Sequence, residues 1–179
     1  MDIPLIERVK IQAQVLIPLV KALQAELGEE RANAIVRRTL GDLYRRYGEQ
    51  WWQSRGSSDI GGAMASAFNT FAARDAMDYE VVKQTPDAFE ANVTECRYAQ
   101  FYKKLGVPQL GFLLTCSSDF PWVEGLGADV QLTRTQTIMQ GASHCDFRYA
   151  LKKRDTDSLK ETGHGAVERN SHSDGTRGT

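Results

Sequence analysis

Apolar residues recur at helical spacing through the first 77 residues and at strand spacing afterwards. Leu5, Ile6, Val9, Val15, Leu16, Leu19, Val20 and Leu23 define a helix over residues 4–26. Pro18 lies inside that pattern and predicts a kink or break, and Gly28 predicts the helix end. A second helix, residues 29–47, carries Ala32, Ile35, Val36, Leu40, Leu43 and Tyr47 on one stripe. Its Arg37, Arg38, Arg45 and Arg46 read as a solvated face. SRGSSDIGG is a loop in which Ser58 or Asp59 caps a third helix, residues 60–77, with Ile60, Met64, Ala67, Phe68 and Phe71 inward.

The period then changes. YEVVKQ and AFEANVTEC alternate as strands around the turn signal Thr85-Pro86-Asp87. RYAQFYKKLG reads as a short helix ending at Gly106, and PQLGFLLTCS as another, opened by Pro108. SSDFPWVEGLGADV reads as a loop. VQLTRTQTIMQ and HCDFRYALKK alternate as strands joined by the Gly141-Ala142-Ser143 turn, a second hairpin. The fold class is therefore α+β: N-terminal helices packed on an antiparallel sheet of two hairpins, with helices inserted between them. Residues 1–151 form one domain, and the polar, aromatic-free segment 152–179 reads as a disordered tail.

Charge narrows the function. Lysine plus arginine number 22 against 23 acidic residues, so there is no basic field to draw nucleic acid. No run of about 18 apolar residues predicts a membrane span, and the charged N-terminus is unlike a secretion signal. The expectation is a cytoplasmic protein with a small-molecule substrate, no nucleic-acid or membrane partner, and a possible homo-oligomer through Trp51 and Trp52.

Candidate chemistry gathers in the second half. Cys96, Cys116 and Cys145 are the three cysteines. An odd count argues against a disulfide framework and for buried thiols. In QGASHCDFRY, alternation puts Cys145, Phe147, Tyr149 and Leu151 on one face and His144, Asp146 and Arg148 on the other. Cys116 stands at a helix end beside Asp119, and a catalytic thiol there needs a base. His144 is the only imidazole outside the tail, with Asp119 or Asp146 to orient it. Arg134, inward by alternation, needs a carboxylate from the protein or from a ligand; Arg97 is a second such cation. Cys96, Cys116, Cys145 and His144 also compose a Cys₃His set for zinc or another divalent metal, although the close ligand pairs of structural zinc sites are missing.

CRYAQFYKKLGVPQLGFLLTCSSDF followed by LTRTQTIMQGASHCDFRY resembles the L-2-amino-thiazoline-4-carboxylic acid hydrolase family, across most of residues 5–150. The resemblance implies a hydrolase that opens a small cyclic isothiourea bearing a carboxylate to an N-carbamoyl cysteine, on a bacterial route to L-cysteine. It implies no cofactor. Cys116 would attack the C2 carbon, His144 would shuttle the proton, Asp119 and Asp146 would assist, and Arg134 or Arg97 would hold the carboxylate. Cys145 is the alternative thiol, and direct attack by water or by a metal-activated water is an equal fit. The helices and split sheet also look like small-molecule-binding domains of the vinyl-reductase-associated type, which leaves a ligand-binding or sensory module as the competing reading.

Overall fold

The computed structural model describes residues 3–55 and 59–152. Two long antiparallel helices come first, α1 (Leu5–Leu27) and α2 (Glu29–Gln53), hinged at Gly28 with φ +80°. In α1 the buried residues are Ile6, Ala13 and Val20, one every second turn, with Val9, Leu16 and Leu23 half-buried between them. That seven-residue repeat presents a continuous seam to the packed helices. Pro18 does not break α1. It stands on the exposed face, where the Gln14 carbonyl that loses its N–H partner can reach water.

Helix α3 (Ile60–Phe71) is capped by Asp59, whose carboxylate accepts from the Gly62 N–H at 2.9 Å. Strands β1 (Met77–Thr85) and β2 (Ala88–Cys96) form the first hairpin around Pro86-Asp87. Helices α4 (Arg97–Lys104), α5 (Pro108–Leu114) and α6 (Asp119–Glu124) follow, with a 3-10 turn at Cys116–Ser118 between the last two. Strands β3 (Val130–Thr133) and β4 (Cys145–Leu151) complete one antiparallel sheet in the order β1-β2-β4-β3. The expected α+β architecture is present, with both strand pairs joined through β2 and β4: Val93 opposes Cys145 and Ala88 opposes Ala150.

Three expectations need correction besides Pro18. The third helix stops at Phe71, six residues early, because the chain turns through left-handed Arg74 (φ 62°) and Asp75 (φ 54°) into β1. Residues 119–124 are helical rather than a loop. The second hairpin is not a tight one: β3 ends at Thr133 and the chain reaches β4 through a 3-10 turn at Ile138–Gln140. The reason is Asp146. Its carboxylate accepts from the Thr135 N–H and the Gln136 N–H, each at 2.9 Å, and from the Thr135 hydroxyl at 2.6 Å. Those backbone donors are taken from the ladder and the strand ends.

The core has two large clusters and a small one of Ile6, Ala76 and Tyr98. One large cluster lies between α3 and the sheet, around Phe68, Phe89, Val93 and Tyr149; the other lies among α1, α2, α4 and α5, around Val20, Tyr102, Leu110 and Leu114. Helix α6 is pressed on α2 backbone to backbone: a Cβ on Gly48 would lie 2.0 Å from the Trp122 carbonyl oxygen. Trp51 packs on Trp122 at 4.9 Å between ring centroids, so both tryptophans expected as anchors, Trp51 and Trp52, pack half-buried on the chain's own core. The tail expected from residue 152 lies outside the described residues except for Lys152.

Candidate functional site

Between the helical layer and the sheet lies a cavity of about 240 Å³. Its wall is mostly apolar and aromatic: Phe68 and Phe71 from α3, Met77 from β1, Tyr98 from α4, Trp122 from α6, Phe147 and Tyr149 from β4, and Leu5 and Val9 from α1. Tyr47, half exposed, stands where the cavity meets solvent. One end is polar, formed by Tyr44, Thr115, Ser118, Asp119 and Arg134.

Arg134 organises that end. Its side chain is only 2% exposed. One terminal nitrogen pairs with Asp119 and the other donates to the Cys116 carbonyl at 3.0 Å. The guanidinium also sits over the Phe120 and Phe147 rings at 5.1 and 5.3 Å. The Asp119 side chain keeps 35% exposure and lines the cavity. Burial nevertheless outweighs the Arg134 charge and hydrogen bond, and pushes the Asp119 carboxyl up to about 6. Burial likewise raises the phenols of Tyr44 and Tyr149, and Asp119 adds to both shifts.

All three cysteines line this cavity. Burial raises each thiol: Cys96 to about 11, Cys116 well above its ordinary value, and Cys145 in the same direction. The Cys145 sulfur accepts the Ile138 N–H at 3.2 Å, and the Cys96 sulfur the Ala99 N–H at 3.5 Å. At neutral pH the thiols are therefore protonated, and they act as small, polarizable wall groups.

The structure thus brings together Cys96, Cys116, Asp119, Arg134 and Cys145. It places the remaining expected residues elsewhere. His144 is absent from the cavity wall; its ring meets Gln136 at 3.0 Å and Ser143 at 3.0 Å. Asp146 serves the β3 end described above. Burial would raise its carboxyl, but the hydrogen bonds from Thr135 and Gln136 outweigh that and hold it below the ordinary carboxylate value. Arg97 lines a separate depression with Glu7, Lys10 and Arg74. The Cys₃His set is not assembled, and among the described residues no three histidine, cysteine or acidic side chains are placed to hold a metal ion. Sequence reasoning missed Tyr44, Phe68, Phe71, Trp122, Phe147 and Tyr149 as site residues. Phe68, Phe71, Phe147 and Tyr149 carry the ordinary core signal, whereas Trp122 stands in a segment whose Pro121 and two glycines read as a loop.

Fold and site together define an α+β domain with an aromatic-lined cavity and, at its polar end, an ion pair between buried Arg134 and half-buried Asp119. Residues 8–149 match the family described as L-2-amino-thiazoline-4-carboxylic acid hydrolase, and the chain belongs to that family. No curated protein sequence matches it. Among solved structures it is similar to the crystal structure of the phenol-responsive sensory domain of the transcription activator PoxR with phenol. The identity is 17%, covering 76% of this chain and 73% of that one, with a TM-score of 0.50; the likeness is one of fold. Among the described residues no helix is long and apolar enough to cross a membrane.

Proposed function

We propose that the protein is a hydrolase that opens a small cyclic amidine or isothiourea, in which Asp119 takes the proton from the attacking water. The observation that carries this reading is the setting of Asp119. A carboxyl at about 6, facing a largely apolar cavity, is close to the proton affinity that general-base work near neutral pH requires. Arg134 holds it in place, and the carboxylate also suits the cationic amidine of such a ring.

For a ring like L-2-amino-thiazoline-4-carboxylate, the steps balance as follows. Water adds to C2, the carbon bonded to two nitrogens and a sulfur, as its proton passes to Asp119. The tetrahedral centre collapses with cleavage of the C–S bond. The C2=N electron pair goes to the ring nitrogen, which is protonated as the amidine cation, and the C–S electron pair goes to sulfur, which takes the proton back from Asp119. The hydroxyl proton leaves to solvent as the carbamoyl C=O forms, matching the proton the ring nitrogen took up. The product is an N-carbamoyl amino-acid thiol, one water heavier than the ring. The covalent variant has Cys116 attack first; its thiol would have to lose a proton against the burial that now holds it.

A second reading, binding of a ring-shaped ligand without turnover, is supported by the aromatic wall and the protonated thiols. The PoxR sensory domain, of similar fold, was solved with phenol. Incubating the purified chain with L-2-amino-thiazoline-4-carboxylate and following the one-water gain by mass spectrometry separates the readings. The expected result is turnover that Asp119→Asn lowers about 100-fold or more and Cys116→Ala leaves largely intact. Turnover lost in Cys116→Ala but kept in Asp119→Asn assigns the thiol instead. Saturable ring binding with no product favours the second reading.

A further inference from the structure

Helix α1 is held by a narrow seam and leaves a second apolar face bare. Of its 23 residues only Ile6, Ala13 and Val20 are buried. On the opposite side Ile11, Val15 and Leu19 are 53%, 66% and 52% exposed. They are spaced four residues apart, so they form one stripe, and exposed Pro18 and Ala22 extend it. A contiguous aliphatic stripe of this kind marks an interaction surface.

The ends of the stripe carry opposite charges. Arg8 stands at the N-terminal end and Glu26 at the C-terminal end, both exposed. Neither makes an ion pair among the described residues. The two are separated by about 27 Å along the helix axis. We infer that this face binds a second copy of the same chain, α1 against α1 in antiparallel register about a two-fold axis that crosses the stripe between Val15 and Leu19, at the level of Ile17 along the helix.

Two independent pairings give that axis. Arg8 opposite Glu26 and Val15 opposite Leu19 share Ile17 as their midpoint. An antiparallel pair therefore satisfies both charged ends twice and buries the stripe against itself, an isologous contact. A parallel pair would set Arg8 against Arg8 and Glu26 against Glu26. Leu5 and Val9, on the same helix, line the cavity, so the contact would also brace one wall of the site.

The test is the mass of the full chain by light scattering and sedimentation, over about 1–100 µM. The expected species is twice the 20.0 kDa chain mass. Val15→Glu with Leu19→Glu should weaken association at least about 100-fold without changing Tm at dilutions where the wild type is monomeric, because both side chains are already exposed in the single chain. Arg8→Glu alone should weaken it about tenfold, and adding Glu26→Arg should restore it. A monomer throughout the range overturns the proposal; if that monomer binds anionic vesicles, the stripe faces lipid. A dimer that survives Val15→Glu with Leu19→Glu overturns the surface. Loss of the dimer in Arg8→Glu without rescue by Glu26→Arg overturns the antiparallel register.

Discussion

Replacing Arg134 with methionine removes the one cation at the polar end of the cavity and leaves Asp119 facing apolar atoms. Breaking a buried pair by deleting one partner costs about 3–5 kcal/mol, most of it from the charge left behind. Because the Asp119 side chain keeps 35% exposure, solvent screening puts the expected cost lower, at about 2–3 kcal/mol at pH 7.5. In a domain of this size that is a fall in Tm of roughly 4–12 °C. The cost should depend on pH in a definite direction. In the wild type the folded carboxyl, at about 6, lies above the ordinary carboxylate range. The folded chain thus retains a proton that the unfolded chain releases, and this group's contribution to stability declines as pH rises from about 4 to 6. Removing Arg134 takes away both influences that lower the Asp119 value and leaves burial, so the window extends upward. The deficit of Arg134→Met should therefore be largest at pH 7.5 and shrink at pH 5, where the carboxyl is neutral. Adding Asp119→Leu should bring stability back to within about 1 kcal/mol of wild type, because an apolar pair of similar volume replaces a buried ionic one at little net cost. Thermal and urea unfolding at both pH values measure all of this. A deficit under about 1 kcal/mol at pH 7.5, or one equal at pH 5 and pH 7.5, would refute the argument that Arg134 compensates a buried Asp119.

Gly48→Ala should destabilise the chain by about 2–4 kcal/mol in urea unfolding, because the added Cβ meets the Trp122 backbone at 2.0 Å and drives α6, with Asp119, off α2. The three thiols should react slowly with iodoacetamide at pH 7.5 in the folded chain and at ordinary rates in urea, since burial holds Cys96, Cys116 and Cys145 protonated; fast alkylation of native Cys116 would contradict that.

The parts of this fold that could be read from sequence are those decided by local periodicity. That α1 and α2 are helices, the alternation of β2 and β4, and the inward direction of Cys145, Tyr149 and Arg134 follow from side-chain spacing; Val15, Leu19 and Tyr47 share the helical spacing and yet are exposed, while Ala13 and Gly48 are buried. The parts that could not be read depend on partners distant in the chain. LTRTQT alternates as well as any strand, but Asp146, eleven residues beyond Thr135, captures the backbone donors that would have continued the ladder. Pro18 reads as a break because sequence alone does not say that its carbonyl partner faces solvent. The candidate site divides along the same line. Asp119 and Arg134 were both recognisable, one as a neighbour of Cys116 and the other as an inward cation needing a carboxylate. That each is the other's partner is a tertiary fact. His144 was singled out for being the only imidazole in the folded part, and its chemical type carries no information about direction; β4 begins one residue later and turns it away from the cavity.

The same residues explain why there is a cavity at all. Two buried clusters meet along a line where Cys96 and Ile138 pack against both. Along that line the wall positions from β2, the 3-10 turn and β4 are Cys96, Cys116 and Cys145, where leucine or phenylalanine would project into the gap. A thiol is small enough to leave the space open and apolar enough to tolerate burial. Its raised proton affinity follows from that burial. Asp119 is the opposite case: it is also desolvated, yet Arg134 keeps its carboxyl from rising further, near the middle of the working pH range. On the proposed reading the chemistry of this cavity rests on the carboxyl that has a compensating cation, and the cysteines shape the space in which it acts.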